Sequence, residues 1–420
     1  MKIKYLLYRI FSRILIGSSL GCSYQITTED PPSNPNRAYF TINPKDQKIM
    51  VPVRLNDSIT AKLVFDSAIN RYRFSIDSMF CSMHPEIMAN MSSYTTIRSG
   101  GSAWSQTSTP ALIYNNAPKV TMGNTELKYE NTKIVDWKKH MHNNEMDGMF
   151  SIPDSDTTNV WELNFEHNYL EVHSSKGFYM PENCFIIEMV KDESNPFRLE
   201  VKLAFMINCS DGCVLPLDRI YTVDTGIPYD IVLTYNAKEL DYFNKKDDAV
   251  WVGIDSYHTY YKYNIVNATL FDDFVLDSLR IYTFDRRNSV RSDYLIGQNF
   301  LKRFNVFFDM KNKQIGLQPV EKFQRLVNPD FRRFHFSTYR MQDGRAIVRE
   351  VADYKDNYYK TAGMLKGDEI LSVNNKPFNK ITPNEIHNFH KKDTLVYSII
   401  RNGKPLEIVV SVDKNEVQGD

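Results

Sequence analysis

Residues 221–234 read YTVDTGIPYDIVLT and place one acid, Asp224, at the end of an apolar run. Aromatic and β-branched residues fill the run, so the sequence predicts a strand that delivers a carboxylate to a tight turn. Thr225 can offer its hydroxyl to nearby backbone groups, and Gly226 permits close approach of another chain segment. A single Asp-Thr-Gly triplet also occurs in ordinary β-turns, so the triplet gains weight only from a second copy.

A degenerate second copy of this acid-bearing segment lies upstream, where residues 63–68 read LVFDSA. Asp66 again follows an apolar run and precedes a hydroxyl residue. Each copy is followed by a glycine beside apolar residues, 82 residues after Asp66 at Gly148 and 73 residues after Asp224 at Gly297. Each copy then closes with a predicted strand, short turn and strand, at residues 161–172 and 306–317. A duplicated acid-bearing unit predicts two lobes that face each other across a cleft.

The composition agrees with a β-rich chain of several domains. At 420 residues the chain can hold two or three domains with proper cores. Aromatic residues make up 13% of it, and Tyr and Phe recur with Val and Ile in short alternating runs, which favours strands. The formal net charge is +0, so no basic field points to a nucleic-acid partner.

The N-terminus resembles a secretory signal. Basic residues among the first 13 precede a short apolar stretch at 14–20, which is followed by Gly21 and Cys22. This order predicts a signal or lipoprotein-like segment at 1–22, with Cys22 as a candidate lipid-attachment residue. The alternatives are a frayed start of the chain or a membrane-lying segment. Residues 23–37 contain three prolines and are predicted to form a flexible tether. The expected location is the cell envelope, periplasmic or surface-exposed, with membrane contact only through a lipid anchor.

One pair of cysteines and one pair of histidines could each have more than one structural role. Cys209 and Cys213 enclose a Ser-Asp-Gly turn and either form a disulfide in an oxidising envelope or remain thiols. His387 and His390 lie three residues apart on a predicted helix. Because no third ligand is near them in the sequence, they predict a solvated helix face rather than a metal site. No metal and no cofactor is expected.

The duplicated unit resembles the retropepsin-like aspartic peptidases, in particular their bacterial two-lobed, single-chain forms. The matching parts are residues 65–68 and 223–226, the two glycine elements and the two closing strand pairs. A second resemblance lies in residues 362–374, AGMLKGDEILSVN, which are similar to the signature of bacterial PDZ domains. Together the resemblances imply a mainly β chain with two tandem retropepsin-like β-barrel lobes and a small α+β PDZ domain. The implied boundaries are 38–175 and 185–320 for the lobes, 174–197 for a connector and 328–415 for the PDZ domain.

The peptidase resemblance implies that Asp66 and Asp224 are the catalytic pair. Two carboxyl groups about 3 Å apart cannot both ionise cheaply, so one stays protonated while the other is the base for a water held between them. The resemblance further implies that Ser67 and Thr225 hydrogen-bond to the opposite loop and fix both carboxylates.

Other residues are expected to border this pair. Ala68 and Gly226 complete the two loops, and Ala68 departs from the glycine that is usual in the family. Arg71 follows the first loop and either lowers a carboxyl pKa or points to solvent. Two glycine-containing segments are predicted to form mobile flaps over the cleft, with ordinary surface hairpins as the alternative. Their candidate residues are Ser99, Gly100, Gly101 and Gly253.

The sequence therefore predicts an exported aspartic endopeptidase that takes an extended peptide or protein substrate. Its PDZ domain is expected to recruit substrates or partners by their C-terminal peptides, which PDZ domains receive as an added strand. No glycine-rich carboxylate-binding loop is evident upstream of the motif, and residues 334–336 only mark its place. The alternative is a catalytically inactive peptide-binding envelope protein on the same scaffold, which Ala68 favours.

Overall fold

The computed structural model describes most of the chain from residue 34 onward. The described residues are 34–43, 47–69, 71–91, 93–100, 108–137, 145–190, 199–208, 212–234, 237–244, 250–252, 261–271, 273–284, 294–323, 336–340, 345–351, 357–381, 385 and 394–411. They form a mainly β protein, which confirms the predicted fold class. Within these ranges, no helix is both long enough and apolar enough to cross a membrane. Residues 1–33, which include Cys22, lie outside the described ranges, and so do five other residues singled out above: Gly101, Cys209, Gly253, His387 and His390.

The first repeat is built around the hairpin that ends at Asp66. Its strands are β1 (Ala38–Tyr39), β2 (Thr41–Ile42), β3 (Ile49–Leu55), β4 (Ile59–Phe65), β5 (Phe74–Asp77), β6 (Tyr94–Gly100), β7 (Ser108–Tyr114), β8 (Val120–Met122), β9 (Thr125–Leu127), β10 (Thr132–Val135), β11 (Gly148–Phe150), β12 (Asn159–Asn164) and β13 (Tyr169–Ser174), and its helices are α1 (Ser78–Met83) and a 3-10 turn (Pro85–Met88). Asn56 and Asp57 turn between β3 and β4 at φ 47° and 64°. Asn and Asp tolerate positive φ better than most residues, which explains why the predicted hairpin closes there.

The second repeat follows the same plan with longer strands. Its strands are β14 (Phe185–Val190), β15 (Glu200–Asn208), β16 (Val214–Asp224), β17 (Ile231–Leu233), β18 (Val250–Val252), β19 (Tyr261–Leu270), β20 (Phe274–Phe284), β21 (Tyr294–Gly297), β22 (Phe304–Asp309) and β23 (Gln314–Pro319), and its helices are α2 (Leu240–Asn244) and α3 (Gln298–Leu301). The strand β14 lies where the predicted connector (174–197) and the predicted second lobe (185–320) overlap. It pairs with β23 and with the start of β15, so most of its length belongs to a sheet.

The two repeats share one unusual arrangement of strands around each acid. In the first repeat β11 lies between β4 and β5, parallel to β4 and antiparallel to β5. In the second repeat β21 lies between β16 and β17 in the same two orientations. β10 and β20 then pair in parallel with β5 and β17. The two repeats found in the sequence therefore share the same strand topology.

A shared sheet joins the two repeats with near two-fold symmetry. Its central strands run in the order β13-β12-β22-β23, with β12 antiparallel to β22. Glu162 pairs with Phe307, and the flanking pairs Trp161–Phe308 and Leu163–Val306 follow in register. Because β12 and β22 are the corresponding closing strands of the two repeats, the symmetry axis passes near the Glu162–Phe307 pair.

A hydrophobic core with residues from both repeats packs against the residue that precedes the first acid. Phe65, directly before Asp66, is fully buried. Its ring stacks on Trp161 at 6.2 Å between ring centroids and also contacts Phe150 and Phe308. Burying a side chain of this size contributes about 2 kcal/mol or more to stability. The first acid is thus anchored on strands from both repeats.

The C-terminal unit has its own sheet and its own hydrophobic core. Its elements are β24 (Phe336–Arg340), β25 (Ala346–Val351), α4 (Tyr358–Thr361), β26 (Glu369–Val373), β27 (Lys376–Pro377), a 3-10 turn (Phe378–Lys380), β28 (Thr394–Arg401) and β29 (Lys404–Ser411). Within the motif at 362–374, buried Asp368 receives two hydrogen bonds of 2.7 Å from Arg401 and one of 2.8 Å from the Leu365 N–H. The acid of the motif therefore fixes the turn before β26. Phe336 packs on this core, while residues 334 and 335 lie outside the described ranges.

Candidate active site

Each predicted catalytic acid lies where a buried strand ends beside a parallel neighbour. Asp66 directly follows β4, and its N–H donates to the carbonyl of Phe150 on β11 at 2.9 Å. Asp224 is the last residue of β16 and pairs with Gly297 of β21. The same local fold thus presents one carboxyl group from each repeat.

Four hydrogen bonds connect the two acid-bearing loops. The Ser67 N–H donates to Thr225 Oγ1 at 2.9 Å, and the Thr225 N–H donates to Ser67 Oγ at 3.0 Å. The Ser67 hydroxyl donates to the Val223 carbonyl at 2.8 Å, and the Thr225 hydroxyl donates to the Phe65 carbonyl at 3.1 Å. Both side chains are buried, which shields these bonds from water. The loops are therefore held in one fixed relation through the hydrogen bonds that the family resemblance implied.

Each carboxylate is also held by its own loop. Asp66 Oδ1 accepts from the Ala68 N–H at 2.9 Å, and Asp224 Oδ1 accepts from the Gly226 N–H at 2.9 Å. Asp224 has a further backbone donor in Ile227. These backbone bonds orient the carboxyl groups, and each carboxyl group has more acceptor positions than these bonds use.

Gly226 allows the first acid to pack directly on the second loop. A Cβ atom at Gly226 would lie 2.5 Å from both Cγ and Oδ2 of Asp66. Carbon and oxygen atoms that are not bonded do not approach this closely, so no larger residue fits without moving Asp66. The predicted role of Gly226 in close approach of another segment has this specific partner. Ala68 occupies the corresponding loop position in the first repeat.

The two carboxyl groups are electrostatically coupled. Burial raises the pKa of Asp66 above its ordinary value, while the nearby charges of Lys48 and Arg73 act in the opposite direction. Burial raises the pKa of Asp224 to about 8, and the charge of Asp66 adds to this effect, while Lys48 again opposes it. Burial therefore favours the protonated form of both groups, and their mutual repulsion disfavours ionisation of both together.

Lys48 is the site residue that sequence reasoning missed. Its Nζ donates a hydrogen bond to the carbonyl oxygen of Gly226, in the loop of the other repeat. It is half-buried, and its charge acts on both carboxyl groups. Lys48 belongs to no motif, and no spacing in the sequence relates it to residue 226, so only the folded chain brings them together.

The arginine near the first loop is Arg73 rather than Arg71. Arg71 is exposed and has a φ of 46°, and its guanidinium lies over the ring of Tyr72. Of the two expectations for Arg71, the solvent-facing one fits this position. Arg73 is buried and donates to the Ile69 carbonyl at 2.6 Å and to Asp154 at 2.7 Å. Arg73 therefore supports the first loop from its own repeat.

In the first repeat, Gly148 does not pair with the acid as its counterpart Gly297 does in the second repeat. Gly297 pairs with Asp224 itself, whereas Gly148 pairs with Leu63, three residues before Asp66. The residue that corresponds to Gly297 by register is Ser151, which directly follows β11 and is fully buried. Gly148 has a different reason to be glycine, because a Cβ there would lie 2.2 Å from the Ser75 carbonyl oxygen.

The flap candidates are only partly described. Ser99 and Gly100 are the last residues of β6 and pair with Thr109 and Ser108 of β7. β6 is a terminal strand of the sheet of the first repeat, and β18 is a terminal strand of the sheet that contains the second. Each candidate flap therefore belongs to a hairpin at a sheet edge. The described contacts do not bring Ser99 or Gly100 to the aspartates.

One group of metal-ligand types is present among the described residues, away from the loops. Glu162, Glu171 and His173 lie on β12 and β13 with ligand atoms within 4.8 Å of one another. The Glu162 carboxylate already accepts from Tyr169 at 2.6 Å and contacts His173 at 2.8 Å. Burial would raise the pKa of Glu162, but these hydrogen bonds outweigh it and lower the pKa. Protein partners therefore already contact this group, including Arg37, whose Nε lies 2.9 Å from Glu171.

Comparison with known proteins gives no match at the sequence level. No protein-family model matches the chain, and no curated protein matches it.

Proposed function

We propose that this chain is an aspartic-type endopeptidase whose catalytic pair is Asp66 and Asp224. The observation that carries the proposal is the reciprocal hydrogen bonding of Ser67 and Thr225, which holds together the loops of half-buried Asp66 and buried Asp224. Structural turns would not need two coupled acids placed against each other across a repeat boundary. The raised pKa values support the proposal, because one shared proton provides an acid and a base together.

The chemistry requires only these two groups and a water molecule. The ionised carboxylate accepts a proton from water as the water oxygen attacks the peptide carbonyl carbon, and the protonated carboxyl group donates to the carbonyl oxygen. Collapse of the tetrahedral intermediate then breaks the C–N bond and leaves a carboxylic acid and an amine, with a proton delivered to the nitrogen. The two aspartates titrate as one unit, so neither is assigned a fixed role.

An extended peptide is the substrate class that the sheet edges favour. The hairpins that contain β6 and β18 end their sheets, so their outer backbone groups are free of a neighbouring strand in the described pairing. An extended peptide can add to such an edge through main-chain hydrogen bonds. This mode of binding needs no cofactor and suits an extended peptide substrate.

The C-terminal unit is proposed to be a PDZ domain that recruits substrates or partners by their C-termini. The support is the motif at 362–374 together with the separate sheet and core. Recruitment next to a peptidase would raise the local concentration of substrate. Export through the segment at 1–22, with lipid attachment at Cys22, belongs to the same proposal.

A catalytically inactive peptide-binding protein is the second candidate, and Ala68 is the observation that favours it. Ala68 adds a methyl group at a loop position where the family has glycine. Such a protein would keep the cleft and the C-terminal unit and would bind peptides without hydrolysing them.

The test is digestion of a mixed peptide library by the full chain from about pH 4 to about pH 8. We expect cleavage by the wild type, none by Asp66→Asn, and wild-type cleavage by Asp57→Asn, an exposed aspartate paired with Lys119 at 2.9 Å. Peptides that stay intact but bound at every pH would favour the inactive candidate. Cleavage that survives Asp66→Asn would exclude the proposed pair.

A further inference from the structure

Backbone hydrogen bonds hold the residues around Lys48 in place. It directly precedes β3, and its carbonyl accepts from the Asn43 N–H at 2.9 Å, while the Gln47 N–H donates to the Asn43 carbonyl at 2.8 Å. Gln47 has a φ of 57° and is buried. These two hydrogen bonds tie Gln47 and Lys48 to Asn43 at the start of β3, so the position of Lys48 is set by the hairpin that also carries Asp66.

The side chain of Lys48 crosses from the first repeat to the second. Its Nζ donates to the Gly226 carbonyl, 178 residues away in the sequence. Gly226 is the residue against which the Asp66 carboxyl group packs, and its N–H donates to Asp224. The ammonium group therefore sits at the loop that touches both acids.

The other charged groups around the pair are distributed unevenly. Arg73 acts on Asp66, but its guanidinium is held by Asp154 at 2.7 Å. Glu145 contacts Asn43 at 3.2 Å, on the turn that precedes Lys48. Lys48 is the cation whose charge acts on both Asp66 and Asp224.

We propose that Lys48 is a positioning residue that sets the charge state of the Asp66–Asp224 pair, through its ammonium group held at the Gly226 carbonyl. This inference rests on the proposed peptidase function and adds a third residue to its site. A buried acid pair would otherwise keep its protons to higher pH. A fixed positive charge favours loss of the first proton, and so it brings the singly ionised, working form of the pair to lower pH.

The sign of the effect follows from electrostatics. A positive charge stabilises each more negative state of the pair, so it lowers both apparent titration midpoints. Removing the charge raises both midpoints and shifts the bell-shaped pH profile toward alkaline pH. A shift of about one pH unit corresponds to about a tenfold loss of kcat/KM on the acidic limb.

Three substitutions at Lys48 separate its charge from its hydrogen bond. Lys48→Gln keeps a donor for the Gly226 carbonyl but removes the charge, Lys48→Met removes both, and Lys48→Arg keeps both. Lys202→Met is the matched control, because Lys202 is exposed and its ammonium lies 3.4 Å from Asp218 on the surface. We expect Lys48→Gln and Lys48→Met to shift the profile of kcat/KM upward by about one pH unit, with Lys48→Arg and Lys202→Met unchanged.

A second readout does not depend on activity. The full chain is labelled with aspartate carrying ¹³C at Cγ, the two signals are assigned with Asp66→Asn and Asp224→Asn, and the carboxyl groups are titrated by NMR. We expect both titration midpoints to be higher in Lys48→Gln than in the wild type and to have wild-type values in Lys48→Arg. A purely structural role predicts instead that Lys48→Gln titrates like the wild type.

The outcomes distinguish this inference from the proposed function. An active wild type whose pH profile and carboxyl titrations are unchanged in Lys48→Gln and Lys48→Met would overturn the role of Lys48 and leave the peptidase intact. Carboxyl titrations that move with the Lys48 charge, in a chain that cleaves no peptide, would support the electrostatic role and overturn the peptidase.

Discussion

Gly226→Ala is expected to reduce peptide cleavage by about 100-fold or more and to lower the melting temperature. The added Cβ would lie 2.5 Å from the Asp66 Cγ, so the Asp66 carboxyl group or the second loop must move. Displacement of a catalytic group by about 1 Å is enough for a loss of this size. The same displacement strains the hydrogen bonds between Ser67 and Thr225, which explains the expected loss of stability.

Ala68→Gly is the matched control for this prediction. It makes the reverse exchange at the corresponding position of the first loop, where it removes a methyl group instead of adding one. We expect cleavage to be kept or increased, with a loss of stability of about 0.5 to 1 kcal/mol from the added backbone freedom. The measurements are kcat/KM on one cleaved peptide and thermal melting. Wild-type cleavage by Gly226→Ala would contradict the packing of Asp66 on the second loop.

Asp224→Asn is expected to abolish cleavage and yet raise the melting temperature at pH 8 by about 2 to 5 °C. Burial raises the pKa of Asp224 to about 8 in the folded chain, well above the value of an unfolded aspartate near 4. Between these two pH values the folded state holds a proton that the unfolded state has lost. Wild-type stability therefore falls as the pH rises from about 4 to about 8, because losing this proton stabilises the unfolded state and not the folded one.

Asparagine does not titrate, so the stability of Asp224→Asn does not fall in this way as the pH rises. The gain in melting temperature should shrink toward pH 4, because below this pH the Asp224 carboxyl group is protonated in both the folded and the unfolded wild type. Melting curves at pH 4, 6 and 8 for the wild type, Asp224→Asn and the exposed control Asp57→Asn measure it. A variant that is less stable than the wild type at pH 8 would show that the Asp224 carboxylate stabilises the fold as an ion.

Much of this architecture is predictable because it repeats local rules. The alternation of buried and exposed residues in β3 and β4, with Asn56 and Asp57 between them, predicts the hairpin before Asp66. The doubling of an acid, a hydroxyl residue and a closing strand pair predicts that Asp66 and Asp224 come together. These signals survive in the sequence because each depends on neighbouring residues or on a repeat.

The contacts that escaped prediction depend on long-range geometry or on competing local signals. Lys48 and Gly226 are 178 residues apart and share no motif, so only the fold relates them. The strand β14 is flanked by glycine and prolines, which outweighed the strand-forming residues between them in the prediction of a connector. The register of β11 against β4 assigns the site equivalent to Gly297 to Ser151, a position that a search for a matching glycine cannot find.

The most direct test of the central claim is the rate of cleavage of one peptide by the wild type, Asp66→Asn, Asp224→Asn and the double variant. If the two aspartates act as one catalytic unit, each single substitution should cost at least about 10³-fold in kcat/KM, and the double variant should cost no more than either single one. A single variant that keeps activity within about tenfold of the wild type, or losses that multiply in the double variant, would contradict a shared catalytic pair.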